Sequence, residues 1–248
     1  MAEPTKQTFS IEDVEPQISM GAVFSILLAV IAGAVAGMLI LQNLLPGFSQ
    51  SIVSEQPKVF WYLSRGSAFV AYFLLWFSMV LGVGVTNKMA ARWPGLAKAN
   101  DLHQYVSILG LAFGLFHGLI LLGDHYINFS LLQVFLPFST ASYKPFAVGL
   151  GQVAFYLWGV ILISFYARKR IGTKAWRMIH YATYLTFLGG LLHGIIGGTD
   201  AATTWAIILY WGSGTVLLFL TIYRIITGVA LAAERKAKQL AKNQTELA

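Results

Sequence analysis

Six long apolar segments, separated by short polar ones, dominate the chain. They run over roughly Met20–Gln42, Phe60–Thr86, Leu102–Gly123, Phe146–Tyr166, His180–Gly197 and Thr204–Ile226. About twenty helical residues, each rising about 1.5 Å, cross a hydrocarbon core of about 30 Å. The pattern therefore predicts an all-α fold, an integral membrane bundle of six transmembrane helices. The fifth segment is the shortest, and Trp176–Ile179 is expected to lengthen it at its start.

One such bundle accounts for the length of the chain. We expect residues 1–19 to form an N-terminal cytoplasmic segment and residues 20–227 to form the transmembrane domain. Residues 228–248 alternate Ala and Leu with Lys and Arg. This pattern predicts a basic amphipathic tail helix on the cytoplasmic membrane surface. A solvated terminal helix is the alternative for the same residues.

The distribution of Lys and Arg predicts the orientation of the bundle. Basic residues gather in the second and fourth connections and after the sixth segment, at Lys88, Arg92, Lys98, Arg168, Lys169, Arg170, Lys174, Arg177, Arg224, Arg235, Lys236, Lys238 and Lys242. The opposite set of loops carries only Lys58 and Lys144. Because cytoplasmic loops are enriched in Lys and Arg, both termini are expected in the cytoplasm.

The composition is that of a membrane protein, and it excludes several kinds of cofactor and binding site. Hydrophobic residues make up 57% of the chain and charged residues 11%, whereas about a quarter of a soluble domain is charged. Cysteine is absent, which excludes disulfides, thiolate-bound zinc, iron–sulfur clusters and cysteine-attached haem. The net charge of +7 does not indicate nucleic-acid binding, because the basic residues lie in short loops between apolar segments.

Four of the five histidines fall inside predicted spans, where ionisable side chains usually mark a functional site. His103 and His117 on the third span lie fourteen residues apart. A helix places them on one side, about 40° and about 21 Å apart. On the fifth span, His180 and His193 would lie about 140° and about 20 Å apart. A common side for this second pair requires a tightened turn, a helix crossing, or a distortion near Gly189-Gly190.

The expected depths sort these histidines into two pairs. His103 and His180 each follow a basic connection, so both are expected near the cytoplasmic face, with His117 and His193 toward the outer face. Each pair offers two neutral imidazoles from different helices, which suits six-coordinate haem iron. Hydrogen-bonded contacts between helices are the alternative. A zinc or copper site is disfavoured, because no depth collects three or four His or acidic ligands.

Gly110 lies midway between His103 and His117. A residue without a side chain there would let a flat macrocycle or a neighbouring helix come close.

With these histidines and their flanking sequences, the chain resembles the ferric-reductase-like transmembrane domain family. That family includes the membrane part of NADPH oxidases, ferric reductases, and the bacterial haem subunit of the periplasmic methionine-sulfoxide reductase system. The flanking matches are SRGSAFVAY, IGTKAWRMIH and HGIIGGTD, and the resemblance covers about residues 60–226. It implies two b-type haems, with His103 and His180 binding the inner iron and His117 and His193 the outer iron. It also implies a bacterial plasma-membrane protein.

The chain departs from part of that family. NADPH oxidases and eukaryotic ferric reductases continue into a cytoplasmic flavin and nicotinamide domain, whereas no GxGxxG-type loop occurs in the soluble segments here. We therefore expect no flavin or nicotinamide site in this chain. A separate cytoplasmic flavoprotein or a quinol would reduce the inner haem. Oxygen, ferric chelates, a partner protein at the outer face and a quinone stay open as acceptors.

Two arginines are predicted to support the cofactors. Arg65, near the outer end of the second span, would pair with a haem propionate, or else extend to lipid headgroups. Arg177, together with Lys174, precedes His180 and would pair with inner propionates, or else serve only as topological positive charge. His125, beside Asp124, is expected to be an interfacial residue.

The predicted function is that of a transmembrane di-haem cytochrome, the haem-containing electron-transfer component of an oxidoreductase, with no catalytic residue of its own. An electron-carrying or structural subunit of a larger respiratory or photosynthetic complex is the second possibility. A transporter or channel is disfavoured, because apart from the histidines and Arg65 the spans offer few charges.

Overall fold

The computed structural model describes residues 15–40, 59–124, 127–140 and 143–246, and these ranges are helical with no strand. The helices are α1 Met20–Leu39, α2 Val59–Thr86, α3 Leu96–Ile120, α4 Leu131–Phe135, α5 Pro145–Ile171, α6 Thr173–His180, α7 Thr183–Gly197 and α8 Thr204–Glu246. Six stretches are long and apolar enough to cross a membrane: α1, α2, α3 with its following turn, α5, α6 joined to α7, and most of α8. The predicted all-α bundle with six membrane-crossing helices is confirmed.

Several helices continue beyond the apolar segments that predicted them. Helix α3 begins at Leu96, α5 extends to Ile171, and α8 extends to Glu246. Hydrogen bonding within a helix needs no apolar side chain, so polar residues carry these helices past the hydrocarbon core. The tail predicted over 228–248 is helical through Glu246, and it continues the sixth span as one helix rather than forming a separate element.

The helices pack around α2 and α3, which run antiparallel in close contact. Helix α7 packs closely on α5, α1 lies against α3, and α8 lies against α2. Large apolar side chains point outward from the bundle, as Leu28 and Ile208 do with 65% and 66% of their surface exposed. Such exposure fits a fold whose surrounding solvent is hydrocarbon.

Aromatic packing joins α2, α7 and α8. Tyr72, Phe187 and Tyr210 belong to one buried apolar cluster. The Tyr72 hydroxyl lies 2.6 Å from Ser213 Oγ, and Trp76 Nε1 donates to the Ser213 carbonyl at 3.1 Å. The polar ends of Tyr72 and Trp76 are thus hydrogen-bonded, as is usual for buried Tyr and Trp.

The segment before α1 is attached to the same end of the bundle as the basic connections. Lys169 Nζ lies 2.7 Å from a Glu15 carboxylate oxygen, and this hydrogen bond lowers the pKa of Glu15. Tyr166 donates to the Ile18 carbonyl at 2.8 Å. Two contacts from α5 therefore hold the entry to α1.

At the other end of the bundle, Arg65 on α2 pairs with Asp200 in the link between α7 and α8. Arg65 Nε donates to Asp200 Oδ2 at 2.7 Å, and a second guanidinium nitrogen contacts Oδ1. The Asp200 side chain is 16% exposed and that of Arg65 is 32% exposed. This two-point ion pair fixes the link against α2.

The Asp200→Asn variant tests the importance of this ion pair. We expect it to lower the free energy of unfolding by about 1–3 kcal/mol, because it leaves a half-buried guanidinium without a charged partner. Thermal unfolding of the detergent-purified protein measures the change. Glu234→Gln is the matched control, since Glu234 pairs with Lys238 at 2.6 Å on an exposed helix face, where such pairs contribute about 0–0.5 kcal/mol. Equal effects of the two variants would contradict the prediction.

Candidate functional site

Two pairs of histidines face each other inside the bundle. The rings of His103 and His180 have centroids 6.2 Å apart, and those of His117 and His193 have centroids 6.0 Å apart. The structure thus brings the four side chains together in the combinations expected from their depths. We call them the inner pair and the outer pair, after the membrane sides expected from the sequence.

The distance between the paired rings distinguishes two kinds of contact. A hydrogen bond between imidazoles, with nitrogens about 3 Å apart, would bring the centroids to roughly 5 Å. A metal ion bonded to one nitrogen of each ring at about 2 Å would hold the centroids roughly 6 Å apart. The observed 6.2 and 6.0 Å match the second arrangement. The spacing exceeds that of a direct hydrogen bond between the rings and leaves room for a metal ion between them, and rings inclined by 74° and 71° also fit edge-to-face packing.

Backbone carbonyls determine which ring nitrogen carries the proton. Nδ1 of His103 lies 2.8 Å from the Ser78 carbonyl oxygen, and Nδ1 of His117 lies 2.8 Å from that of Ser64. Nδ1 of His193 lies 2.7 Å from the carbonyl of Ala147. A carbonyl only accepts, so each Nδ1 must donate, and Nε2 keeps the lone pair that binds a metal.

His180 is held differently. Among the described residues its ring contacts Trp176, one turn earlier on α6, with centroids 5.4 Å apart and planes inclined by 37°. No carbonyl within the described ranges accepts a hydrogen bond from this ring. The inner pair thus has one histidine fixed by the backbone and one positioned by packing.

Small residues let the imidazoles approach the neighbouring backbone. Each accepting carbonyl is followed four residues later by Ala or Gly, in the pairs Ser64/Ala68, Ser78/Gly82 and Ala147/Gly151. A methyl group at Gly151 would lie 2.6 Å from His193 Nδ1, and one at Gly82 would lie 3.3 Å from the His103 ring. Sequence reasoning missed these positions. The small-xxx-small spacing, a known signal of close approach in membrane helices, could have found them.

Matching helix starts set the depth of the inner pair. Helix α3 begins after Gly95 (φ 101°, ψ 148°), and α6 begins after Gly172 (φ 84°, ψ 151°). This backbone region is accessible almost only to glycine. Both His103 and His180 follow their glycine by eight residues. A short Gly-x7-His repeat, which sequence reasoning also missed, therefore places the two ligands equally far into their helices.

A tightened turn aligns the two histidines of the fifth span. The helix breaks at Tyr181 and Ala182, where Ala182 N bonds to the Ile179 carbonyl at 2.9 Å and Tyr184 N to that of Tyr181 at 3.2 Å. Such three-residue turns advance about 120° per residue rather than about 100°. The extra rotation reduces the separation of about 140° that a regular helix would impose. Helix α7 continues through Gly189-Gly190 without a break.

A cavity adjoins each pair. The cavity beside the inner pair measures about 390 Å³, and the cavity beside the outer pair about 250 Å³. Leu75, Trp158 and Thr186 line both cavities. These three side chains form the partition between the two cavities.

Gly110 accommodates part of this partition. A methyl group there would lie 2.5 Å from the Trp158 ring and 3.1 Å from Leu74 Cβ. Of the two roles considered for Gly110, the structure shows the approach of a neighbouring helix, because the space above this glycine holds the indole of α5.

Charged residues differ between the two cavities. The outer cavity is lined by Arg65 and by Asp200, the carboxylate that Arg65 contacts. Asp200 was not predicted, although it ends the HGIIGGTD sequence. The inner cavity is lined by Arg177, which the sequence suggested as a partner of inner propionates, and by Arg224 of α8, which sequence reasoning read only as topological charge. No acidic residue lines the inner cavity within the described part of the chain.

The described part of the loop between α3 and α5 covers the outer cavity. Phe129 and the short helix α4 line it, and Gln152 Nε2 donates to the carbonyls of Gln133 and Val134 at 2.7 and 2.8 Å. The Tyr143 hydroxyl donates to the Gly197 carbonyl at 2.8 Å, and burial raises the pKa of Tyr143. The loop is thus hydrogen-bonded to α5 and α7. His125 lies outside the described residues.

Each site offers two side-chain ligands. In the described ranges, no group of three or more His, Asp or Glu side chains could hold a metal ion. A metal at either pair would take its other ligands from water or from a cofactor such as an iron porphyrin, which supplies four. The free Nε2 atoms, the spacing of the rings and the adjoining cavities fit such a group.

A comparison with protein families places the chain in a domain family of unknown function. The model of a domain of unknown function, DUF8596, matches residues 59–200. The chain belongs to this family. The matched part of the DUF8596 protein runs from the first residue of α2 to Asp200 and includes both histidine pairs. No curated protein and no solved structure matches the chain.

Gly110→Ala tests the packing at the partition. We expect this variant to lower the free energy of unfolding by about 1–3 kcal/mol, because its methyl group overlaps the Trp158 ring. Thermal unfolding in detergent measures the loss, and Trp158→Leu in the same chain should restore part of it. Gly84→Ala on α2 is the control, since no described atom lies within 4 Å of its new methyl group. A stable Gly110→Ala variant would show that the indole is not held there.

Proposed function

We propose that this DUF8596 protein is a transmembrane di-haem b-type cytochrome. The observation that carries the proposal is the pair of facing imidazole couples, 6.2 and 6.0 Å between centroids, with three Nδ1 atoms bonded to backbone carbonyls. This arrangement supports His103 and His180 as ligands of an inner haem and His117 and His193 as ligands of an outer haem. It agrees with the resemblance to the ferric-reductase-like transmembrane family.

The side chains would perform binding, orientation and insulation. A bound haem supplies reversible one-electron chemistry at its iron. His103 with His180 would hold one such group and His117 with His193 the other. These side chains would bind and orient the two groups, and electrons would pass to and from them without a catalytic residue of the protein.

Arginines at the two cavities support the binding of haem propionates. Arg177 and Arg224 line the inner cavity, where their guanidinium groups would donate hydrogen bonds to haem propionates. Arg65 lines the outer cavity, and its guanidinium is shared with Asp200. A propionate there would join an existing ion pair, and this pair limits how much positive charge Arg65 can offer.

The distribution of basic residues supports the direction of electron flow. The connections before α3 and α6 are basic, so we infer that these ends and both termini face the cytoplasm. Electrons would enter at the inner pair from a cytoplasmic flavoprotein or a quinol and leave at the outer pair. Trp158, which lines both cavities, supplies aromatic contact between the two sites. The bacterial plasma membrane is the proposed location.

Histidine variants test the cofactor assignment. The purified wild-type protein should show a b-type absorption spectrum and two haems per chain. His103→Ala and His193→Ala should each reduce this to about one, because each removes a ligand of a different site. The pyridine haemochrome assay measures the content. Unaltered content in both variants, or a wild-type protein without haem, would refute the proposal.

Gly151→Ala tests the outer site without removing a ligand. We expect loss of most of the outer haem, because the new methyl group overlaps the His193 ring and displaces it from the position facing His117. Low-temperature absorption and haem content measure the change, while the inner haem should persist. Gly159→Ala, two turns later on α5 with no described atom within 4 Å, should keep both haems. Equal haem content in the two variants would contradict this placement of His193.

A further inference from the structure

Two serines on α2 contact the two histidines of α3 in the same way. Ser64 and Ser78 lie fourteen residues apart, as His103 and His117 do, and the helices run antiparallel. Each serine therefore faces one histidine, Ser64 against His117 and Ser78 against His103. Both serines are buried, with 2% and 5% of their surface exposed.

At the outer pair the hydroxyl has one arrangement that satisfies every contact. Ser64 Oγ lies 2.9 Å from His117 Nδ1 and 3.1 Å from the His117 carbonyl oxygen. The carbonyl accepts only, so the hydroxyl proton points to it. The oxygen lone pairs then face Nδ1–H, which is shared between Oγ and the Ser64 carbonyl 2.8 Å away.

At the inner pair the same hydrogen-bond network includes one more hydroxyl, that of Ser107. Ser78 Oγ lies 3.0 Å from His103 Nδ1 and 2.6 Å from Ser107 Oγ. Ser107 donates to the His103 carbonyl at 2.7 Å. The Ser78 proton is therefore directed to Ser107, and its lone pairs face Nδ1–H. In both sites a serine hydroxyl accepts a hydrogen bond from the histidine Nδ1–H. The hydroxyl proton then leads to the carbonyl of the same histidine, directly from Ser64 and by way of Ser107 from Ser78.

We propose that Ser64 and Ser78 are positioning residues that strengthen electron donation from one axial ligand of each haem. An acceptor at Nδ1–H raises the basicity of the imidazole and so favours the ferric state of the iron bound at Nε2. Each hydroxyl contacts one histidine, so each adjusts one haem alone. Within the described part of the chain, His193 has only a carbonyl acceptor and His180 has neither a carbonyl nor a hydroxyl. The inference rests on the proposed di-haem function.

Redox titration of the intact, haem-loaded protein tests this inference. Ser64→Ala should raise the midpoint potential of the outer haem and leave the inner one unchanged. Ser78→Ala should do the reverse, and Ser107→Ala should cause a smaller upward shift of the inner haem. The His103→Ala and His193→Ala proteins, each expected to hold one haem, show which redox transition belongs to which haem. The electron paramagnetic resonance signal of the ferric haem next to the substitution should shift with its potential.

Ser64→Thr and Ser78→Thr, which keep the hydroxyl, should retain the wild-type potentials. Ser164→Ala is the matched control, because this buried serine donates to the Ile161 carbonyl and contacts no histidine. If Ser64→Ala or Ser78→Ala loses its haem, the corresponding variant, Ser64→Cys or Ser78→Cys, is titrated instead. A thiol is a weaker acceptor, so its haem should still show a raised potential.

Unchanged potentials in variants that keep two haems would overturn the role of the serines while leaving the di-haem function intact. Equal shifts of both haems in each variant would also overturn it, since a general loosening of the fold would act in that way. A wild-type protein without haem would instead refute the function on which the inference rests.

Discussion

An imidazole inside hydrocarbon is costly unless it is hydrogen-bonded, and the packing around three of the four histidines follows from that cost. Three of the four histidines give their Nδ1 proton to a carbonyl of an adjacent helix. That bond is made only where the ring can touch the backbone, so a small residue stands one turn beyond each acceptor. The close contact of α3 with α2 and of α7 with α5 is thus tied to the orientation of the ligands.

The sequence predicted the parts of the structure that depend on hydropathy and on position along a span. Six apolar segments and four histidines at two depths required no tertiary information. The contacts across helices were not predictable in this way. The contacts of Ser64, Gly151 and Asp200 are with residues more than forty positions away along the chain. Only the packed helices reveal those partners. The tightened turn at Tyr181 has no clear signature in its residue types.

The two sites differ in ways that their shared histidine pattern conceals. The outer pair has both rings fixed by carbonyls and an arginine already neutralised by Asp200. The inner pair has one ring positioned by Trp176 and a cavity lined by two arginines. The two histidine pairs therefore have different polar and aromatic neighbours. Two chemically identical cofactors would acquire different properties without any difference in axial ligand.

The partition formed by Leu75, Trp158 and Thr186 separates the two cavities with side chains that carry no charge and no titratable group. Under the proposed di-haem function, an electron crossing this partition would move without an accompanying proton, so the step would separate charge along the membrane normal. Moving a full elementary charge through a potential of 100 mV changes the free energy by about 2.3 kcal/mol. The membrane voltage would therefore act on this step directly, and a cytoplasm at negative potential would favour outward flow.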